Sequence, residues 1–395
     1  MVVSFPRQST IPMAPQRHKI LFVTPGLRQG GAERQLLELI RRLPDRFEPV
    51  LCLYEAESVH YREYLVPGEP RHVVGSRWMS LRGLARLARI IAEERPAILH
   101  SYRDRSNFWT RLAMQLYGVS VPILITSVRN RGIAPFNLLT ESIFADFTDK
   151  VLSNSVGVRD ELRCWAHVPE SKLAVIHNFA NLTQFRPPAD GERQAARERF
   201  SLAATDQAWV LPGRISMQKH QIGLLAALRS LRQEGRLPAH ERFLLAGRER
   251  DHTYSRIVRA LIERWGLGRH VRLLGSVTDV LALYHAADLA LLPSLYEGMP
   301  NAVIEAQACG LPVLVSRAAN ADGLVAPGIT GFEVPTADRH ALAAELKKAF
   351  ACSPEELRGL GEQGRERVRR MLDNESLLGM FTSLYDRLLA ERSLG

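Results

Sequence analysis

The feature that most constrains this chain is an alternation that runs twice. From His18 the sequence passes through "HKILFVTPG", a short apolar run ended by Pro25 and Gly26, into "AERQLLELIRRL", whose apolar residues recur at helical spacing. The same rhythm of short run and helix-period segment repeats in "FEPVLCLY", "LRGLARLARIIAEERP", "AILHSY", "NFWTRLAMQLYG", "VPILITSV", "DKVLSNS", "VGVRDELRCWA" and "KLAVIHNF". Strands separated by helices pair in parallel, because the helix is the crossover that parallel neighbours need, so a doubly wound α/β sheet is expected. A Pro-rich polar stretch, "NLTQFRPPADGERQ", interrupts the pattern, which restarts at "AWVLPGRIS" and continues to "GFEVPT".

A length of 395 residues suits two domains. The break near Pro187 and Pro188 divides the chain into a loose arm (1–18), a Rossmann-like domain (19–185), a second Rossmann-like domain (186–375) and a closing helix (376–395) that packs back on the first domain. Two such domains face each other across a cleft lined by the carboxyl ends of their strands, where ligands of this architecture bind.

Composition removes several classes of function. The longest apolar stretches, such as "LALYHAADLALLPSLY", are broken by His285, Asp288 and Pro293, well short of the roughly 20 apolar residues of a membrane span. The N-terminal residues have no apolar stretch suited to export. Four scattered cysteines, Cys52, Cys164, Cys309 and Cys352, read as reduced core thiols of a cytoplasmic protein. The net charge of +10 is uneven: residues 1–185 hold 24 Lys+Arg against 17 Asp+Glu, the remainder 28 against 25. An anionic partner is implied, whether nucleic acid, lipid surface or phosphorylated small molecule. No zinc finger, aromatic-glycine signature or long basic run supports nucleic acid.

Three segments carry chemistry. In "GLRQGGAERQ", Gly30 and Gly31 let backbone approach a ligand closely at the start of a helix, whose free N–H groups favour an anion. The spacing is neither a dinucleotide fingerprint nor a P-loop, and an ordinary tight turn is the alternative. In "LPGRISMQKHQ", after the first strand of the second half, Arg214 and Lys219 are fixed cations able to neutralise a diphosphate, or else a pair of solvated surface charges. No Asp-X-Asp, His-Glu-X-X-His or Cys/His cluster calls for a metal.

The third segment is "EGMPNAVIEAQACG". It reads as a loop followed by a helix, with Asn301 as N-cap, Ala302 as first helical residue and Gly310 closing the helix. Glu297 then sits at the carboxyl end of the strand "LALLPS", and Glu305 about one turn into the helix. A carboxylate pair can serve acid/base work, metal binding or sugar recognition, or form a solvated face. The N–H groups near Met299, Asn301 and Ala302 make an anion cradle between the two acids, a layout that matches a sugar nucleotide.

Together these segments resemble the retaining glycosyltransferase family 4, of the GT-B fold. The family's Glu-X7-Glu element is Glu297 to Glu305, its Gly-Arg-X4-Lys element runs from Gly213 and Arg214 to Lys219, its "GGAE" is Gly30 to Glu33, and its "SNS" is Ser153 to Ser155. The resemblance extends from about Lys19 to the C-terminus. It implies that Glu297 contacts the donor sugar, Glu305 binds the ribose, and Arg214 and Lys219 hold the diphosphate. It further implies transfer of a hexosyl group, with retention and without metal or cofactor, from a UDP- or GDP-sugar to a glycan or lipid-linked acceptor. The setting implied is surface-polysaccharide or lipopolysaccharide assembly, in the cytoplasm or at the inner face of the plasma membrane.

Two positions depart from the family's pattern. Where many members carry a His near the reacting sugar, "ITSVRN" places Arg129 and Asn130, and the usual Asn-Gly of the linker strand is Asn178-Phe179. Arg129 is either a reader of an acidic or phosphorylated acceptor or a loop cation paired with a carboxylate. His100, at the end of "AILHSY", is either a satisfied structural histidine or a neighbour of the acceptor. Arg82, Arg86 and Arg89 share one side of a helix and form either a solvated face or a contact for an anionic membrane. The rival functions are a non-hydrolysing sugar-nucleotide epimerase, which the linear Glu-X7-Glu element argues against, and a non-catalytic sugar-nucleotide-binding scaffold.

Overall fold

A computed structural model describes residues 17–27, 30–55, 72–75, 80–249 and 251–393. The expected N-terminal arm lies outside them as far as residue 16, as do Arg28 and Gln29 of the first glycine loop.

Strands β1 (His18–Thr24), β2 (Phe47–Leu53), β3 (His72–Val73), β4 (Ile98–Tyr102), β5 (Ile123–Val128), β6 (Lys150–Ser153) and β7 (Leu173–Val175) form one sheet in the order β3-β2-β1-β4-β5-β6-β7. Strands β8 (Gln207–Pro212), β9 (Glu241–Ala246), β10 (Val271–Gly275), β11 (Leu289–Leu292), β12 (Val313–Ser316) and β13 (Gly331–Val334) form the other, in the order β10-β9-β8-β11-β12-β13. The recorded pairings are parallel: Leu21 lies between Val50 and Leu99, and Trp209 between Phe243 and Leu289. The expected α/β architecture is therefore present, with each sheet's first strand third in its order. Both β1 and β8 are buried along most of their length, as strands covered on both faces must be.

The strand order reverses between β1 and β4 in the first sheet and between β8 and β11 in the second. At such a switch the loops leaving the two strands diverge to opposite faces, opening room at their carboxyl ends. The glycine loop after β1 and Arg103 after β4 flank the first switch; the Arg214–Lys219 loop after β8 and the Glu297 loop after β11 flank the second.

The helices bury one stripe each. In Leu81–Glu94, capped by the Ser80 hydroxyl on the Gly83 N–H at 3.1 Å, residues Leu84, Leu87, Ala88, Ile90 and Ile91 are buried while Arg82, Arg86 and Arg89 are exposed. The two-residue β3 and the helix Pro135–Ile143, which turns Phe136, Leu139 and Ile143 to solvent, lie outside the expected segments.

The chain divides into two compact units, one of Met1–Ser127, Phe147–Asp149 and Thr382–Gly395, the other of Val128–Asp146 and Lys150–Phe381. In the first, Tyr385 of the last helix is buried edge-on against Phe47, and Arg392 pairs with Asp149 at 2.7 Å. In the second, Trp209 stacks on Phe243 and meets Phe350 edge-on in the core. All four cysteines are free thiols, but Cys164 is exposed. The reading of four core thiols holds for Cys52 and Cys309 and fails for Cys164, because its helix Val156–Trp165 buries only Val158 and Leu162.

Candidate functional site

The loop after β8 continues the sheet for two bonds, Gly213 N–H to Ala246 O at 2.8 Å and Ile215 N–H to Arg248 O at 3.0 Å. It then tightens into a 3-10 turn, Met217–Lys219, before the helix Gln221–Gln233. His220 closes the turn in the left-handed region, φ 55°; burial holds its imidazole below the ordinary value. The turn directs Lys219 onto Glu297, Nζ to Oε1 2.6 Å, with side-chain exposures of 12% and 7%.

A residue with no sequence signal of its own completes this contact. Gln218 accepts from Arg214 Nη2 at 3.0 Å, donates to the Tyr296 carbonyl at 3.0 Å, and reaches Glu297 Oε2 at 3.4 Å. Its main-chain oxygen accepts from the Leu295 N–H at 2.8 Å. The loops after β8 and β11 are thus joined through both side chains and backbone.

Beyond Glu297 the chain turns at Gly298, where a Cβ would collide with the Arg129 carbonyl and come within 2.7 Å of Asn154 Oδ1. Only glycine allows that approach. Asn154 also donates to the Arg129 carbonyl, at 3.2 Å. Asn178 secures the next turn: its Nδ2 donates to Met299 O at 3.0 Å and to Asn301 Oδ1 at 2.6 Å, and its Oδ1 accepts from Arg129 Nη2. Arg129 therefore binds an amide oxygen that supports the loop. The helix Asn301–Ala308 starts one residue earlier than expected, with Pro300 as N-cap. Asn301 does not cap it, because its side-chain oxygen is engaged by Asn178.

Glu305 is held differently from Glu297. Its Oε2 accepts from the Tyr284 hydroxyl at 3.1 Å, and the same hydroxyl lies 3.3 Å from Ala302 O. Both acids are buried, at 6% and 8% exposure, one beside a cation and one beside a neutral phenol. Arg214, Lys219, Gly213, Glu297, Met299, Asn301, Ala302, Glu305, Arg129 and Asn130 all lie within the second unit, Asn130 exposed to solvent.

Gly30, Gly31 and His100 lie in the first unit. Gly30 is the N-cap of helix Gly31–Arg42, and the Glu33 carboxylate folds back over it while Arg103 Nη1 donates to Glu33 Oε1 at 2.5 Å. An acid thus already occupies the neighbourhood expected to attract an anion. Arg103 carries φ 75° and ψ 149°, a backbone region that belongs to glycine. His100 is fully buried, its Nδ1 2.8 Å from Tyr385 Oη and its Nε2 2.9 Å from Ser127 Oγ. Both ring nitrogens serve the protein interior. Among the described residues, no three His, Cys, Asp or Glu side chains gather as a metal-binding group.

Two family models match the chain, Glycosyltransferase Family 4 over residues 29–184 and Glycosyl transferases group 1 over residues 207–351. An Escherichia coli UDP-Gal:alpha-D-GlcNAc-diphosphoundecaprenol alpha-1,3-galactosyltransferase is 23% identical over 327 residues, 78% of this chain and 82% of that one. A D-inositol 3-phosphate glycosyltransferase of Segniliparus rotundus is 29% identical over 220 residues, 55% of this chain and 47% of that one, so the match spans about half of that relative's length. Among solved structures, Anabaena Alr3699/HepE in complex with UDP and glucose superposes with a TM-score of 0.81 at 19% identity, over 94% of this chain and 100% of that one. The last likeness shows that the fold is GT-B.

Proposed function

We propose that this chain, which belongs to the group 1 and family 4 glycosyltransferases, is a retaining hexosyltransferase that needs no metal and draws its sugar from a nucleotide diphosphate, a UDP-hexose ahead of a GDP-hexose. The observation that carries this reading is the part-buried chain Arg214–Gln218–Glu297–Lys219 at the switch point of the second sheet, with Glu297 eight residues before Glu305. Two cations beside a helix start suit a diphosphate. Glu297 is placed to accept hydrogen bonds from the hexose hydroxyls, and Glu305 from those of the ribose.

In the reaction, the bond from the sugar's anomeric carbon to the diphosphate oxygen breaks as the acceptor oxygen bonds to that carbon from the same face. The acceptor's proton passes to the departing phosphate oxygen, and the cations hold the charge that develops there. The E. coli relative, whose name specifies a diphosphoundecaprenol-linked acceptor, supports a glycan or lipid-linked acceptor in surface-glycan assembly. The exposed Arg82, Arg86 and Arg89 are the face such a setting would place against anionic lipid on the cytoplasmic side. Among the described residues, no helix is long and apolar enough to cross a membrane.

A thermal-shift panel of UDP-, GDP-, ADP- and dTDP-glucose, with and without EDTA, tests the donor reading. At a hundredfold excess over Kd the bound sugar nucleotide should add about 2.7 kcal/mol of stability. Lys219→Ala should abolish that shift, and EDTA should leave it intact. An inverted anomer in the product would overturn retention.

A further inference from the structure

We infer that Gln218 is a positioning residue of the donor clamp, its amide holding the Glu297 carboxylate and the Arg214 guanidinium in one fixed relation. The inference rests on the donor reading above.

Gln218 is 8% exposed, and each polar end of its side chain faces a partner of one kind. The nitrogen end faces acceptors, the Tyr296 carbonyl at 3.0 Å and Glu297 Oε2 at 3.4 Å. The oxygen end faces a guanidinium, which can only donate, at 3.0 Å. A primary amide supplies two hydrogens on nitrogen and lone pairs on oxygen, so this one orientation satisfies every contact; the flipped amide would set N–H against N–H and oxygen against carboxylate. The neutral amide is thereby specified. A carboxylate at 218 would face Glu297, and an ammonium would face Arg214.

The consequence concerns Glu297 during donor binding. Its Oε1 lies on Lys219 and its Oε2 towards Gln218. A diphosphate competes with Glu297 for Lys219. As that ion pair is shared or opened, Gln218 remains as the support that keeps the carboxylate turned toward the sugar hydroxyls. The same amide keeps Arg214 beside Lys219, so the two cations approach the diphosphate as a preset pair.

The test uses Gln218→Met, which keeps length and burial while removing the polar contacts, and Gln218→Glu, which keeps shape and replaces the donor end with a carboxyl oxygen. Dissociation constants for UDP-, GDP-, ADP- and dTDP-glucose, and for the four free nucleotide diphosphates, are measured by calorimetry between pH 5 and 8. The Met variant should weaken the tightest sugar nucleotide about tenfold and weaken its free nucleotide diphosphate less, because Glu297 acts on the sugar. The Glu variant should bind close to wild type at pH 5 and progressively worse towards pH 8, as two neighbouring carboxyls can share a proton only at lower pH. Wild-type binding by the Met variant overturns the inference, as does a Glu variant weakened by one factor at every pH. Should the Met variant not fold, the pH slope of the Glu variant decides alone. Lys219→Ala separates the two readings: if it loses binding while Gln218→Met does not, only the inference falls. If it binds like wild type, or if wild type binds none of the four, the donor reading falls with it.

Discussion

Each sheet sets an ion pair across its switch point, and the two pairs have opposite polarity. In the first, the acid Glu33 follows β1 and the base Arg103 follows β4; in the second, the base Lys219 follows β8 and the acid Glu297 follows β11. The lengths are nearly equal, 2.5 and 2.6 Å. Topology explains that much, because a doubly wound sheet brings these particular loops together at its centre. Solvent separates the two. The acids are alike, Glu33 at 6% exposure and Glu297 at 7%, but the base Arg103 is 42% exposed and can exchange its partner for water at little cost, whereas Lys219 is at 12%. Charges enclosed in that way depend on each other or on a ligand with charges of its own. In the proposed function, the second pair is the one that meets the diphosphate sugar.

The widest predicted separation between the pairs is kinetic. With the best donor of the panel, Glu297→Gln should lower kcat/KM on the order of 10²–10³-fold, as removal of a preorganised charged contact does. Glu33→Gln should cost less than about tenfold, because water can solvate the exposed Arg103 that is left behind. Equal losses in the two variants would break the contrast and make the first pair part of the same chemistry.

Much of this contrast was legible in the sequence, and the part that was not has a physical reason. Lys219, Glu297 and Glu305 stand in linear segments after recognisable strands, and the resemblance to family 4 motifs singles them out. Gln218 and Tyr284 meet Glu297 and Glu305 across 79 and 21 residues, and the first of these contacts exists only once the strand order places β8 beside β11. Arg129 was noticed as a departure, yet its partner Asn178 lies 49 residues away. The strain at Arg103 leaves no trace at all, since a non-glycine residue at positive φ looks like any other in sequence. The helix Pro135–Ile143 is short and turns its helix-spaced apolar residues Phe136, Leu139 and Ile143 to solvent, a direction that periodicity alone does not indicate.

A second carboxyl of the same sheet sharpens the comparison by separating burial from function. Glu241, at the start of β9, is fully buried and accepts from the Trp209 indole N–H. Burial pushes its carboxyl up to about 8 from the usual 4.5, with the indole contact opposing. The folded pKa exceeds the unfolded one, so its contribution to stability is complete below pH 4.5 and is lost as pH rises to about 8. Urea midpoints of wild type should fall through that window, and Glu241→Gln should fall less. Donor affinity should not follow Glu241→Gln. If it does, the two ends of the second sheet are coupled and Glu297 is not the only acid the clamp depends on.

The smallest effect bears on why Arg103 stands where it does. Its backbone, φ 75° and ψ 149°, lies in a region that costs a residue with a side chain about 1–3 kcal/mol. Arg103→Ala removes the pair with Glu33 and keeps the strain; Arg103→Gly removes both. Glycine loses about 0.5–1 kcal/mol more than alanine through unfolded-chain entropy, which offsets part of the relief. The glycine variant should therefore be the more stable of the two by about 1 kcal/mol in urea denaturation, with donor binding unchanged in both. A more stable alanine variant would mean that the arginine, drawn to Glu33, imposes the unusual backbone. The predicted order means that the fold imposes it after β4 whatever residue is present, and that the ion pair offsets part of its cost. The first pair would then be a brace for a strained turn; beside the second pair the residues between β11 and Glu297 show no positive φ, and His220 next to Lys219, at φ 55°, sits in the left-handed helical region that histidine tolerates better.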